Sequence, residues 1–202
     1  TAVDMEYFKS WGIEKPYFAS PTGLLIEKYA VNHTNEAPLS VFHFGSMDWM
    51  PNEEAVLWFV ENVWTKVLEK VPQAKFYIVG RGMSDLVATL EIPGVVVVGK
   101  SELPENVYHS YSVMVVPLLS GRGMRIKLIE GLAYGKAVVS TSVGAEGIHV
   151  TNDKNCLLAD TADTFAEAVT GLLNDKAKRE SMQAEARIFA EKNYNNTMLV
   201  QD

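Results

Sequence analysis

From about Leu39 to the end of the chain, short apolar runs bounded by glycine alternate with helix-period patterns, and this alternation constrains the fold more than any other feature. Ser40–Gly45 reads as a strand, and a helix follows with Asn52 as its N-cap and Val56, Phe59, Val60, Val63, Trp64, Val67 and Leu68 at helical spacing. Ala74–Val79, Val95–Val98, Ser112–Val116, Ala137–Ser140 and Cys156–Ala159 repeat the strand signal. Between and after them, helices are predicted over Ser84–Leu90, from Pro104, from the Gly121-Arg122-Gly123 turn to Tyr134, over Ala162–Leu173 and over Lys176–Lys192. Strands that are apolar on both faces and separated by helices predict an α/β domain. Its sheet would be parallel, doubly wound and Rossmann-like, with about six strands and helices on both faces.

Residues 1–38 do not share this rhythm and read as a linker segment packing on the domain formed by 39–202. The chain opens on Thr1 and its last ten residues stop in a helical pattern, which fits a fragment of a longer protein. Its 202 residues are enough for a substantial core without disulfides or metals. Eighteen basic against twenty-five acidic residues leave a net charge of −7. That balance disfavours nucleic acid, whose phosphates call for a basic surface. The longest apolar run, Tyr111–Leu119, is interrupted by Ser112 and Pro117 and falls far short of the roughly 20 residues of a membrane span. The single Cys156 fits a reducing compartment.

An open parallel sheet binds its ligands beyond the carboxyl ends of the strands. Of the loops there, Gly121-Arg122-Gly123-Met124-Arg125-Ile126-Lys127 has the strongest chemistry. A Gly-x-Gly turn entering a helix offers unsatisfied backbone N–H groups at the positive end of the helix dipole, where a phosphate is favoured. Three cations in the first turns of a helix make sense if a multiply charged anion offsets them. A solvated basic turn in which Lys127 pairs with Glu130 is the alternative reading of the same residues. Glu130 lies on the same side of the helix as Lys127, roughly 60° away, where a carboxylate can accept from ribose hydroxyls. His43, in an apolar strand, reads as a satisfied core histidine. The other histidines lack partners at metal-ligand spacing. Arg81-Gly82 and Lys100-Ser101 fit either nucleobase contacts or ordinary turns.

Residues Pro117–Thr141, followed by Gly144-Ala145-Glu146-Gly147, resemble the Gly-rich loop, glutamate-bearing helix and strand of the group 1 glycosyltransferases. Phe44-Gly45-Ser46-Met47 with Pro51-Asn52, Ile78-Val79-Gly80 and Val98-Gly99 extend the resemblance, which spans about Ala2 to Asn193. It is the C-terminal, nucleotide-sugar-binding half of a retaining GT-B transferase that the chain is similar to. Glu130 matches the second of the family's two glutamates, and Arg122 stands where the first would fall.

The resemblance implies a nucleoside-diphosphate sugar as donor, with Arg125 and Lys127 as catalytic cations on the leaving diphosphate and no metal or other cofactor. Gly45, Ser46, Arg81, Lys100, Gly121, Arg122, Gly123, Met124 and Glu130 are the implied donor-binding residues. It also implies an N-terminal acceptor domain outside this chain that presents a glycan or lipid-linked acceptor. The setting would be surface-polysaccharide synthesis in the cytoplasm, at the inner membrane face if peripheral, and the fragment alone would be inactive. A non-catalytic nucleotide-binding module and a GT-B sugar epimerase are the alternative functions.

Overall fold

A computed structural model describes residues 2–12 and 22–199. Six parallel strands form one sheet: β1 (Ala37–Phe44), β2 (Lys75–Val79), β3 (Val95–Gly99), β4 (Tyr111–Val116), β5 (Ala137–Ser140) and β6 (Leu157–Leu158). Their order across the sheet is β3-β2-β1-β4-β5-β6. The chain therefore turns back on itself between β1 and β4, which pair directly, and the crevice beyond their carboxyl ends is where this fold binds ligands. The doubly wound, Rossmann-like architecture expected from the alternation is the one found.

Helices cover both faces because the strands are apolar on both. Side chains alternate across a strand, so Val41, Phe76, Ile78, Val113, Val115 and Val139 enter one core. Phe42, Val79, Met114, Val116 and Val138 enter the other. The first core is capped by α2 (Met50–Trp58), an i→i+5 helical stretch (Phe59–Trp64), α3 (Thr65–Lys70) and α7 (Ala162–Asn174). Trp64 is fully buried there and donates its Nε1–H to the Pro93 carbonyl at 2.9 Å. The second core is closed by α5 (Pro104–Ser110), α6 (Ile126–Ala133) and α8 (Lys176–Tyr194). Three short or terminal helices complete the order, α1 (Ala2–Ser10), α4 (Asp85–Ala88) and α9 (Asn196–Leu199).

Two helix starts differ from the sequence expectation. Asn52 does not cap α2, which begins at Met50 after Trp49, and its side chain reaches away to other partners. The helix after the Gly-rich turn begins only at Ile126, so Arg122 precedes it and is exposed rather than lying in its first turns. Strand β6 is also shorter than Cys156–Ala159.

Residues 22–36 lie against α6 and α8. Leu24 and Ile26 are buried in the second core, and the Leu24 N–H donates to the Tyr194 carbonyl at 2.6 Å. Within the predicted linker segment, residues 13–21 lie outside the described residues. Below the sheet's amino ends, Glu36 receives hydrogen bonds from the fully buried Lys136 and from Gln183 at 3.2 Å, with His33 Nδ1 at 2.6 Å. Burial raises the Glu36 carboxyl, but the His33 and Lys136 contacts outweigh it, so its pKa lies below the ordinary 4.5. A depressed folded value means that this stabilisation is present above about pH 4.5 and is lost as pH falls through the folded value. Glu36→Gln is expected to cost about 1–3 kcal/mol at neutral pH and to flatten the acid side of the stability curve. Urea titrations between about pH 3 and 7 check both effects.

Candidate functional site

Register brings the carboxyl ends of the central strands level: Phe44 pairs with Val79, Val79 with Gly99, and Val116 with Ser140. The loops that leave them build the site. Gly45, Ser46, Arg81 and Lys100 line one cleft of about 200 Å³ together with Phe44 and Gly80. Arg81 Nε donates to Ser46 Oγ at 3.3 Å and stands 3.6 Å from Asp48, and the Lys100 side chain is exposed.

Lys127, from the first turn of α6, borders this cleft. A Cβ added at Gly45 would stand 3.0 Å from Lys127 Nζ and 2.8 Å from Asn52 Nδ2. The lysine does not pair with Glu130. Its ammonium donates to Asn52 Oδ1 and lies 3.3 Å from His43 Nε2. Burial, and secondarily the like charge of Arg125, pull its pKa down to about 7. Among the described residues no carboxylate bonds it.

Arg125, buried at the N-cap position of α6, braces the Gly-rich loop. Its Nη1 donates to the Arg122 carbonyl at 2.6 Å and to the Gly123 carbonyl, and its guanidinium carbon is 5.3 Å from the centroid of the Trp49 ring. Nε and Nη2 are buried and have no partner among the described residues. Burial lowers its pKa and the Glu146 charge opposes that shift, while one Glu146 carboxylate oxygen is itself buried and unpartnered. No side chain caps α6 and no acid lies in its first turn, so its leading N–H groups keep their capacity for an anion. Gly121 packs on Trp49, where an added Cβ would stand 3.0 Å from the ring. Met124 turns its side chain into the second core, leaving only its backbone to the loop.

Glu130 faces a different space, a pocket of about 480 Å³ whose walls include Tyr29, Leu103, Pro104, Tyr108 and Tyr134. The Tyr29 hydroxyl donates to Glu130 at 3.3 Å, Tyr108 and Tyr134 stack at 4.4 Å, and burial pushes the Glu130 carboxyl above its ordinary value. Among the described residues the buried Tyr108 hydroxyl has no hydrogen-bond partner. The structure thus separates the predicted residues into a cationic cleft and an acidic, aromatic-walled pocket. Sequence reasoning missed Asn52, Trp49, Tyr29 and Tyr108 as site residues; the one available signal was that Trp49 and Asn52 stand just after β1.

Residues 38–175 match the glycosyl transferases group 1 family. The chain belongs to that family. A curated relative, the uncharacterised 44.6 kDa protein in the cps region of Klebsiella pneumoniae, is 22% identical over 158 residues, 73% of this chain and 41% of that protein. Among solved structures, a mutant of Staphylococcus aureus TarM in complex with fondaparinux, α-GlcNAc-glycerol and UDP superposes with a TM-score of 0.80 at 18% identity. The match covers 98% of this chain and 40% of TarM. The C-terminal domain of the group 1 protein LpcC from Francisella tularensis matches over its full length and 86% of this chain, with a TM-score of 0.71 at 16% identity. The group 1 domain therefore has the fold of a GT-B C-terminal half, and it spans about two fifths of the lengths of the Klebsiella protein and TarM. No described helix is long and apolar enough to cross a membrane.

Proposed function

We propose that the chain is the donor-binding domain of a glycosyltransferase that moves a sugar from a nucleoside diphosphate to an acceptor with retained anomeric configuration. The observation that supports this most is the pair of cations at the mouth of α6: among the described residues, two buried guanidinium nitrogens of Arg125 have no partner and no carboxylate bonds Lys127. As the bond from the sugar's anomeric carbon to the phosphate oxygen breaks, negative charge gathers on the departing diphosphate. Fixed cations and the α6 N-terminus stabilise that charge without reorganisation, the work a metal ion would otherwise do. Glu130 accepts from the ribose hydroxyls within the tyrosine-walled pocket, and the Gly45–Lys100 cleft lies beside the diphosphate. TarM was crystallised with UDP, which makes UDP the first diphosphate to try.

The acceptor, a glycan or lipid-linked glycan, belongs to an N-terminal domain. The relative in the cps region favours surface polysaccharide, assembled in the cytoplasm, as the product. A second reading, a nucleotide-binding module without transfer, is favoured by Arg122 at the position of the family's first glutamate.

Calorimetric titration with UDP, GDP and ADP, each beside its nucleoside, tests the reading. One diphosphate should bind saturably and its nucleoside far more weakly. Equal affinity for both, or no binding by the full-length protein, overturns it. Tight donor binding with no transfer by the full-length protein selects the non-catalytic module. Glu130→Gln should weaken nucleoside and diphosphate alike by about 1 kcal/mol, the worth of a hydrogen bond to a charged over a neutral acceptor. A loss confined to the diphosphate removes Glu130 from the ribose.

A further inference from the structure

We propose that His43 and Asn52 are positioning residues that hold the Lys127 ammonium between two uncharged acceptors, so that the donor's diphosphate becomes its first anionic partner and binds with uptake of a proton. The inference rests on the diphosphate site proposed above and adds how that site is charged.

The tautomer and the amide orientation follow from the fixed partners. His43 Nδ1 lies 3.1 Å from the Val115 carbonyl of β4, which can only accept, so Nδ1 holds the ring proton. The bare Nε2 then faces Lys127 Nζ at 3.3 Å. Asn52 Nδ2 donates to the Ser46 carbonyl at 2.7 Å, which turns Oδ1 toward the lysine. Lys127 on α6 is thus gripped by β1 through His43 and by α2 through Asn52, 84 and 75 residues away in sequence. Both grips are neutral. Burial and the adjacent ammonium keep His43 well below its ordinary pKa.

The neighbouring charges do not pair with Lys127. Arg125, at the start of α6, repels it. Asp48, from the β1–α2 loop, stands beside Arg81, and Glu130, from α6, accepts from Tyr29. Among the described residues no carboxylate bonds the ammonium, and its third N–H has no partner. A carboxylate in place of Asn52 would hold the proton permanently. An amide leaves the protonation to the ligand, in line with a lysine that titrates at about 7 when free.

The test is binding of UDP-, GDP- and ADP-glucose, whose bridged phosphates do not titrate, between about pH 6 and 9. It is run in two buffers of different ionisation heat on the wild type and on Asn52→Asp, which keeps the side-chain shape. The Lys127 side-chain carbon resonance is followed in parallel without ligand. Affinity should fall about tenfold per pH unit above pH 7 in the wild type, with proton uptake seen as a buffer-dependent heat. Asn52→Asp should remove that slope and carry the Lys127 titration upward. A lysine that titrates near 10.5 in the free protein, or a slope unchanged in Asn52→Asp, overturns the proposal. If no nucleotide sugar binds while Lys127 titrates near 7 and moves upward in Asn52→Asp, the neutral grip stands and it is the donor reading that falls.

Discussion

Lys127→Met is expected to weaken diphosphate binding by about 1.5–3 kcal/mol, roughly 10- to 150-fold, through the lost charge-assisted hydrogen bonds, and at the same time to make the protein more stable. The two effects have one cause. In the free domain the ammonium is buried against neutral acceptors and a like charge, and burying a charge without its counter-charge opposes folding. Methionine is about as long and needs no partner. The gain should be about 1–4 kcal/mol near pH 6. Its pH dependence follows from linkage. The folded value, about 7, lies below the ordinary 10.5, so between these values the unfolded chain holds more protons. Wild-type stability therefore rises with pH across that window. The advantage of Lys127→Met should shrink over the same window and vanish near its upper end. Urea denaturation at several pH values and calorimetry with the diphosphate and its nucleoside measure both arms. An equal loss for nucleoside and diphosphate would take the lysine away from the phosphates, and a destabilised variant would mean the ammonium is paired in solution.

Gly80→Ala is expected to cost about 3–5 kcal/mol from backbone strain and overpacking together. Gly80 has φ +156°, and a Cβ there would stand 1.7 Å from the Gly45 carbonyl oxygen. Neither backbone can yield cheaply. The Gly45 N–H donates to the Val79 carbonyl at 3.0 Å, and the Gly80 N–H to the Gly99 carbonyl at 2.8 Å. Any relief moves Gly45 and Ser46, which wall the cleft next to Lys127, so surviving protein should also bind the diphosphate less tightly. Gly171→Ala supplies the contrast. It lies inside α7 with nothing within 4 Å of the added carbon and should stabilise by about 0.5–1 kcal/mol. Thermal or urea denaturation of the two variants should differ in sign; a Gly80→Ala loss under about 1 kcal/mol would mean that the strand exits are looser than their backbone contacts indicate.

The amino-acid order alone determined the alternation of strands and helices, the parallel sheet and the loop that faces its switch point, because each follows from short-range rules. Apolar periodicity marks an element, glycine marks its exit, and the β1 and β4 exits are where such a sheet leaves a crevice. The same local rules misassigned Asn52. An asparagine after a strand and before a helix is a good cap by propensity, and nothing within a few residues shows that its amide will be drawn to Ser46 and Lys127 instead. They placed Lys127 and Glu130 on one side of a helix and left an ion pair between them open, whereas packing sends one to β1 and α2 and the other to Tyr29. His43 was legible as a buried histidine but not as a lysine's acceptor. What only the tertiary structure decided was which partners the charged side chains meet. Charge state and hydrogen bonding in a buried site depend on groups brought together from distant parts of the chain, and pattern along the sequence does not report those distances.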